Sequence, residues 1–146
     1  MVLRGLEKYG YYELAREIAR SHVDQVTKVF NRTGTVWENY APESPRPGEP
    51  AKKDFVGWTG LSPIAVTIEH LFGITADAGH ARLTWRIGET ARHGVERYPL
   101  KDGWVTLICP AHAPGEEPDI ELQGTTAATV EVIWPSGHTK TYTTGA

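Results

Sequence analysis

Two short strings hold most of the residues that could do chemistry. Trp37-Glu38-Asn39-Tyr40 sets a carboxylate between aromatic side chains, and Asp54-Phe55-Val56-Gly57-Trp58 brings an acid and two more rings after a proline-rich excursion. Aromatic faces cover the C–H surface of a sugar ring, while carboxylates accept hydroxyl hydrogen bonds or move protons. A carboxylate partly withdrawn from water has a raised pKa, which suits acid–base work. The residue types therefore suggest a carbohydrate site. The competing reading is a loop pinned to its own core by Trp and Tyr side chains.

Both strings lie in one segment, residues 33–61, with four prolines between Pro42 and Pro50 and almost no hydrophobic period. An irregular stretch of that length is uncommon in a compact domain and, when ordered, is usually functional. Helices must hold it. Residues 1–32 read as helical, with Gly10 separating a short Val2–Tyr9 helix from a longer one. That longer helix has apolar positions at Tyr11, Leu14, Ile18, His22, Val26 and Val29. Asn31 and Gly34 close it. A further helix is expected to start at Ser62 as N-cap with Pro63 in its first turn. Its apolar face would be Ile64, Ile68 and Leu71, and Gly73 would end it.

Beyond Gly73 the period changes from 3.6 to 2. Leu83, Trp85 and Ile87 alternate with Thr84 and Arg86, Val105, Leu107 and Cys109 with Thr106 and Ile108, and Val130, Val132 and Trp134 with Glu131 and Ile133. Shorter strands are expected near Val95–Tyr98 and Asp119–Leu122. Pro135-Ser136-Gly137-His138 reads as the turn of a hairpin into Thr139–Thr143. The fold class is α+β: a helical segment, residues 1–75, then an antiparallel β-sheet or sandwich segment, residues 76–146.

Composition removes several function classes. The 146 residues carry 15 Lys+Arg against 18 Asp+Glu, a net charge of −3, which does not suit a dedicated nucleic-acid binder. The strand-rich part holds the whole acidic excess, and its Arg82, Arg86, Arg92 and Arg97 read as strand-edge protection, not a binding patch. No apolar run approaches the ~20 residues needed to span a bilayer. The single cysteine, Cys109, falls on the inward phase of a strand and reads as a small hydrophobe. Six histidines lack HxxxH or HExxH spacing, so no metal site is expected. With no GxGxxG, P-loop or GxSxG, no cofactor is expected and neither nucleotide binding nor serine hydrolysis has support. The first 21 residues show no uninterrupted apolar core and no small-residue cleavage site, so the compartment is open, cytoplasmic if Met1 is the natural start.

The string TVWENYAPESPRPGEPAKKDFVGWTGLSPIAVTIEHLFGI resembles the last helical hairpin of the six-hairpin (α/α)6 toroid glycosidases. The nearest groups are glycoside hydrolase family 63 and the mannosylglycerate-hydrolase-like enzymes, with family 37 trehalases more distant. The matching residues are Glu38, Asn39, Tyr40, Asp54, Phe55, Gly57, Trp58 and Thr59. The resemblance implies an inverting α-glycosidase in which Glu38 is the general base, polarising the water that attacks the anomeric carbon. Tyr40 and Trp58 would line the sugar subsite, joined by Trp37, Asn39 and Phe55. Asp54 would order the loop. Inversion also needs a carboxylic acid ~6.5–9.5 Å from the base. In these families it is an Asp on an earlier hairpin, and no residue here matches its motif.

The expectation is therefore a C-terminal fragment of an inverting α-glycosidase, inactive alone, whose longer parent acts on a carbohydrate substrate. The alternative is a non-catalytic carbohydrate-binding or scaffold module. A small autonomous glycosidase pairing Glu38 with Glu43 or Asp54 is disfavoured, because nothing would hold them on opposite faces of a sugar. No membrane or nucleic-acid partner is expected. Self-association through exposed helix faces is, with Leu14, Ile18 and Val26 as the stripe.

Overall fold

Glycine punctuation sets the helix boundaries of the first part of the chain. In a computed structural model, which describes residues 1–145, α1 (Val2–Lys8) and α2 (Tyr12–Thr33) flank Gly10. Gly34 ends α2 in the left-handed conformation, φ 73°, and its N–H donates to the Phe30 carbonyl at 2.7 Å. An irregular loop follows. A continuous helical run then comprises a 3₁₀ turn (Gly57–Leu61), α3 (Ser62–Val66) and a π turn (Thr67–Leu71).

That run begins five residues before the expected N-cap, so Ser62 caps nothing. Its hydroxyl instead meets His22 Nε2 at 2.9 Å, joining α2 to α3. The π turn shifts the helical phase, and the expected apolar face divides: Ile64 is exposed, while Ile68 and Leu71 are half-buried. His70 is the buried residue of that turn, its Nδ1 2.7 Å from Glu7 Oε1. Arg4 Nη2 reaches Glu69 Oε2 at 2.8 Å, a second tie between α1 and the run.

The buried stripe of α2 is also corrected. Its inward residues are Ala15, Ala19, Val26 and Val29, whereas Tyr11, Leu14 and Ile18 are exposed. One residue of helix is a 100° rotation. Alanine lets a neighbouring backbone come close, so the N-terminal half of α2 packs through its small residues. Leu14 and Ile18 stay on the outer flank. Val26, expected in the self-association stripe, is only 4% exposed and belongs to this segment's own core.

The described residues divide into two compact units, residues 1–71 and the stretch from residue 72 onward. The second holds β1 (Ile74–Asp77), β2 (Arg82–Arg86), β3 (His93–Leu100), β4 (Gly103–Cys109), β5 (Glu121–Gly124), β6 (Ala128–Ile133) and β7 (Thr139–Thr144). They form a four-stranded sheet, β1-β2-β6-β7, and a three-stranded one, β3-β4-β5. The architecture is α+β, helices first and two small sheets after.

Four of the five strand pairs are antiparallel, and the β6–β7 hairpin turns through Ser136 and Gly137 with Ile133 opposite Thr139. The exception is β2 with β6, which run parallel because the whole second sheet intervenes in sequence. That pairing puts β2 inside its sheet, so Arg82 and Arg86 guard no edge. Arg97 does lie on edge strand β3, stacked over the Trp104 ring at 5.3 Å.

Leu83, Trp85, Ile87, Val105, Leu107, Val130 and Val132 are at most 1% exposed and form the centre of the core. β4 is buried on both faces, Thr106 and Ile108 included, where alternation predicts one solvated face. Burial pushes the Cys109 thiol up to about 11, so it is a packed, protonated side chain and not a nucleophile.

Candidate functional site

The loop between α2 and the helical run is held by its own side chains. Trp37 Nε1 donates to Thr33 Oγ1 at 3.0 Å, and that hydroxyl lies 3.0 Å from the Val29 carbonyl. The ring is thus anchored to the C-terminal turn of α2. The Trp37 backbone N–H donates to the Tyr40 hydroxyl at 3.0 Å, closing the WENY turn. Asn39 Nδ2 donates to the Pro50 carbonyl at 3.1 Å, and the Asn39 carbonyl accepts from Gly48 N–H at 3.1 Å. Glycine at 48 leaves room for this pairing, since a Cβ would overlap Asn39 Oδ1 and displace that side chain. Tyr40 and Pro47 form an antiparallel bridge, with Ala41 N–H on the Arg46 carbonyl at 3.0 Å. The proline-rich excursion is an ordered flap folded back on the WENY turn.

Glu38 is tied to the helical run through its backbone. Thr59 Oγ1 donates to the Glu38 carbonyl, and Gly57, at φ 54°, lies against the side chain. A Cβ there would make ordinary contact at 3.4 Å with both Glu38 Cγ and Phe55 Cε1, so the positive φ and not lack of space is what favours glycine. The Glu38 side chain is exposed and its carboxylate makes no hydrogen bond among the described residues.

An open groove of about 540 Å³ runs between α2 and this loop, lined by Glu38, Asn39, Tyr40 and Thr59 on one side and Ser21, His22 and Gln25 on the other. Its volume falls in the range of small-molecule sites. The structure thus gathers three of the seven predicted site residues. Trp37, Asp54, Phe55 and Trp58 do not line it. Trp58 is 91% exposed, and Phe55 is 45% exposed beneath Lys52, whose Nζ stands 5.5 Å from the ring centre. Asp54 is exposed at φ 59°, a conformation Asp tolerates, and its carboxylate has no hydrogen bond or ion pair among the described residues. Any ordering it supplies comes from the backbone and not from its charge. The hydroxyl of Tyr40 accepts from Trp37 N–H, which leaves its ring and its own O–H proton for a ligand.

Ser21, His22 and Gln25 are groove residues that the sequence reading did not assign. Their signal was present: three polar residues at i, i+1 and i+4 interrupt the central turn of α2. Burial pushes the His22 pKa down, so its imidazole is neutral at pH 7. Glu38 is the sole carboxylate of the groove, so the chemistry available there is one acid–base group beside neutral hydrogen-bonding side chains. Among the described residues, no three His, Cys, Asp or Glu side chains come together as a metal site.

A family model described as Trehalase matches residues 1–66, a span that takes in α1, α2, the whole loop and all of α3. The helical segment is glycosidase-like. A curated protein of Borreliella burgdorferi, described only as "Uncharacterized protein", is 27% identical over 143 residues, covering 90% of this chain and 30% of that relative. The chain therefore spans about a third of the length of the curated relative it matches. No solved structure matches it.

Proposed function

We propose that residues 1–71 contribute the general-base side of an inverting α-glycosidase site, with Glu38 as the base. The observation that carries this reading is the trehalase-model match across the segment that holds Glu38 at an open groove. In that role Glu38 takes a proton from water as the water's oxygen bonds to the anomeric carbon. The glycosidic oxygen leaves with a proton from a separate carboxylic acid, and the product has inverted configuration. Within the groove Glu38 has no such acid opposite it. The acid is then supplied by helices outside these 146 residues, and the chain belongs to a longer six-hairpin toroid of family 63 or mannosylglycerate-hydrolase type.

A non-catalytic carbohydrate-binding module is the second reading, favoured by that same lack of a second carboxylate. The test is direct. Assayed alone against trehalose and aryl α-glucosides and α-mannosides, the chain is expected to release no sugar, whereas a protein extended by any upstream in-frame helices is expected to turn one of them over. Turnover by the 146 residues alone, abolished in Glu38→Gln, would overturn the first reading in favour of an autonomous enzyme. A stop codon directly upstream with no activity would favour the binding module.

The exposed Leu14 and Ile18 of α2 belong to the same proposal, as part of the surface that seats neighbouring hairpins and, in the isolated chain, a second copy, with Ile18 also bordering the groove. Sedimentation is expected to show dimers or larger species that dissociate in the Leu14→Ser, Ile18→Ser double variant. A dilute monodisperse monomer would remove this part.

A further inference from the structure

His22 lines the same groove as Glu38, and one of its ring nitrogens is already committed. Nε2 lies 2.9 Å from Ser62 Oγ, while Nδ1 has no hydrogen-bond partner among the described residues. A Ser hydroxyl rotates to donate or accept, so Ser62 holds the neutral ring in either tautomer. Whichever tautomer forms, Nδ1 keeps the opposite capacity, acceptor or donor. A sugar hydroxyl offers both. An apolar stripe position on α2 has no packing use for a polar ring half open to a groove, and the buried residues around it are alanines and valines.

We propose that His22 is a positioning residue of this groove, fixed by Ser62 through Nε2 and presenting Nδ1 to a hydroxyl of a bound glycoside. The inference rests on the glycosidase-like reading of the groove and adds to it the α2 residues that line it with the base. His22 takes no proton from water in this scheme. It sets where the sugar ring lies relative to Glu38, with Gln25 and Ser21 as neighbouring polar groups on the same helix.

Two substitutions separate the ring nitrogens. His22→Asn keeps a polar atom near the position of Nδ1 and gives up the reach to Ser62, whereas His22→Gln keeps the reach and gives up the Nδ1 position. The whole chain is titrated with methyl α-D-glucopyranoside and, separately, trehalose, following the imidazole nitrogens and the Asn39 and Gln25 side-chain amides by NMR. The His22 Nδ1 resonance is expected to shift saturably together with the Asn39 amide. The loss of one hydrogen bond is expected to weaken binding about tenfold in His22→Gln, with His22→Asn within about threefold of the parent chain. If the amides respond while Nδ1 stays still, or if Gln binds as well as His and Asn does not, the positioning role is overturned and the groove reading stands. If no groove resonance moves at tens of millimolar of either sugar, the groove reading itself falls, and the positioning role with it.

Discussion

Glu38→Gln is expected to lower kcat for α-glycoside hydrolysis by about 10²–10⁴-fold in the extended protein that carries both this loop and an acid partner, the usual contribution of a general base. KM should move far less. Gln has nearly the same shape, and the contacts that place residue 38 survive the change. The Thr59 hydrogen bond is to the backbone carbonyl, and Gly57 meets only the Cγ and Cβ of the side chain. What disappears is the ability to take the proton of the attacking water. Azide needs no such help, so it should restore turnover in Glu38→Ala, with the inverted glycosyl azide as product. Initial rates and product analysis by NMR check both parts. Near-parental hydrolysis by Glu38→Gln, or no azide product from Glu38→Ala, would assign the base elsewhere.

Trp85→Ala is expected to remove about 3–5 kcal/mol from the stability of the strand-rich unit. The side chain is fully buried on β2, an interior strand flanked by β1 and β6. Its Nε1 donates to the Phe72 carbonyl at 3.0 Å, and its ring meets His93 edge-on at 5.9 Å. His93 in turn lies 5.9 Å from the Phe72 ring. Truncation leaves a cavity and also strips the Phe72 carbonyl of its indole donor. A unit of this size has about 4–11 kcal/mol in total at ordinary stability per residue, so the loss is a large share of it. Trp85→Phe, which keeps most of the volume but not the N–H, should cost about 1–2 kcal/mol. Urea unfolding followed by near-UV circular dichroism measures both. A midpoint for Trp85→Ala close to that of the parent chain would show that the core does not depend on this side chain.

The two variants probe properties that were legible to different degrees. Period and punctuation placed α2, its stop at Gly34, and the strands around Trp85, Leu107 and Val132 with little error, because a buried face imposes its period on the local sequence whatever the strand's partner. The groove was half legible. Glu38, Asn39 and Tyr40 were visible as a string because a turn of adjacent residues is a local object. His22 looked like one more member of an apolar stripe, since its value depends on Ser62, which lies 40 residues away in sequence.

The departures from the sequence pattern have separate causes. Leu14 and Ile18 lie on the exposed flank of α2 because alanine admits the closer helix contact and Ala15 and Ala19 take the core, whereas Ile64 is left outside by the phase of its own helical run. Phe55 and Trp58 were grouped with the acid by composition, but the fold leaves them outside the groove and exposed. Arg82 and Arg86 were read as edge residues, and only the parallel return of β6 puts a strand on the open side of β2.

From its sequence alone, then, this protein's class of architecture, its helix stops and the chemical character of its loop were already determined, for these follow from backbone preference, period and residue type. Which side chains share the groove, and which apolar faces remain uncovered, was decided only in three dimensions. Those properties belong to pairs of residues far apart in the chain, and no local pattern carries the distance between them.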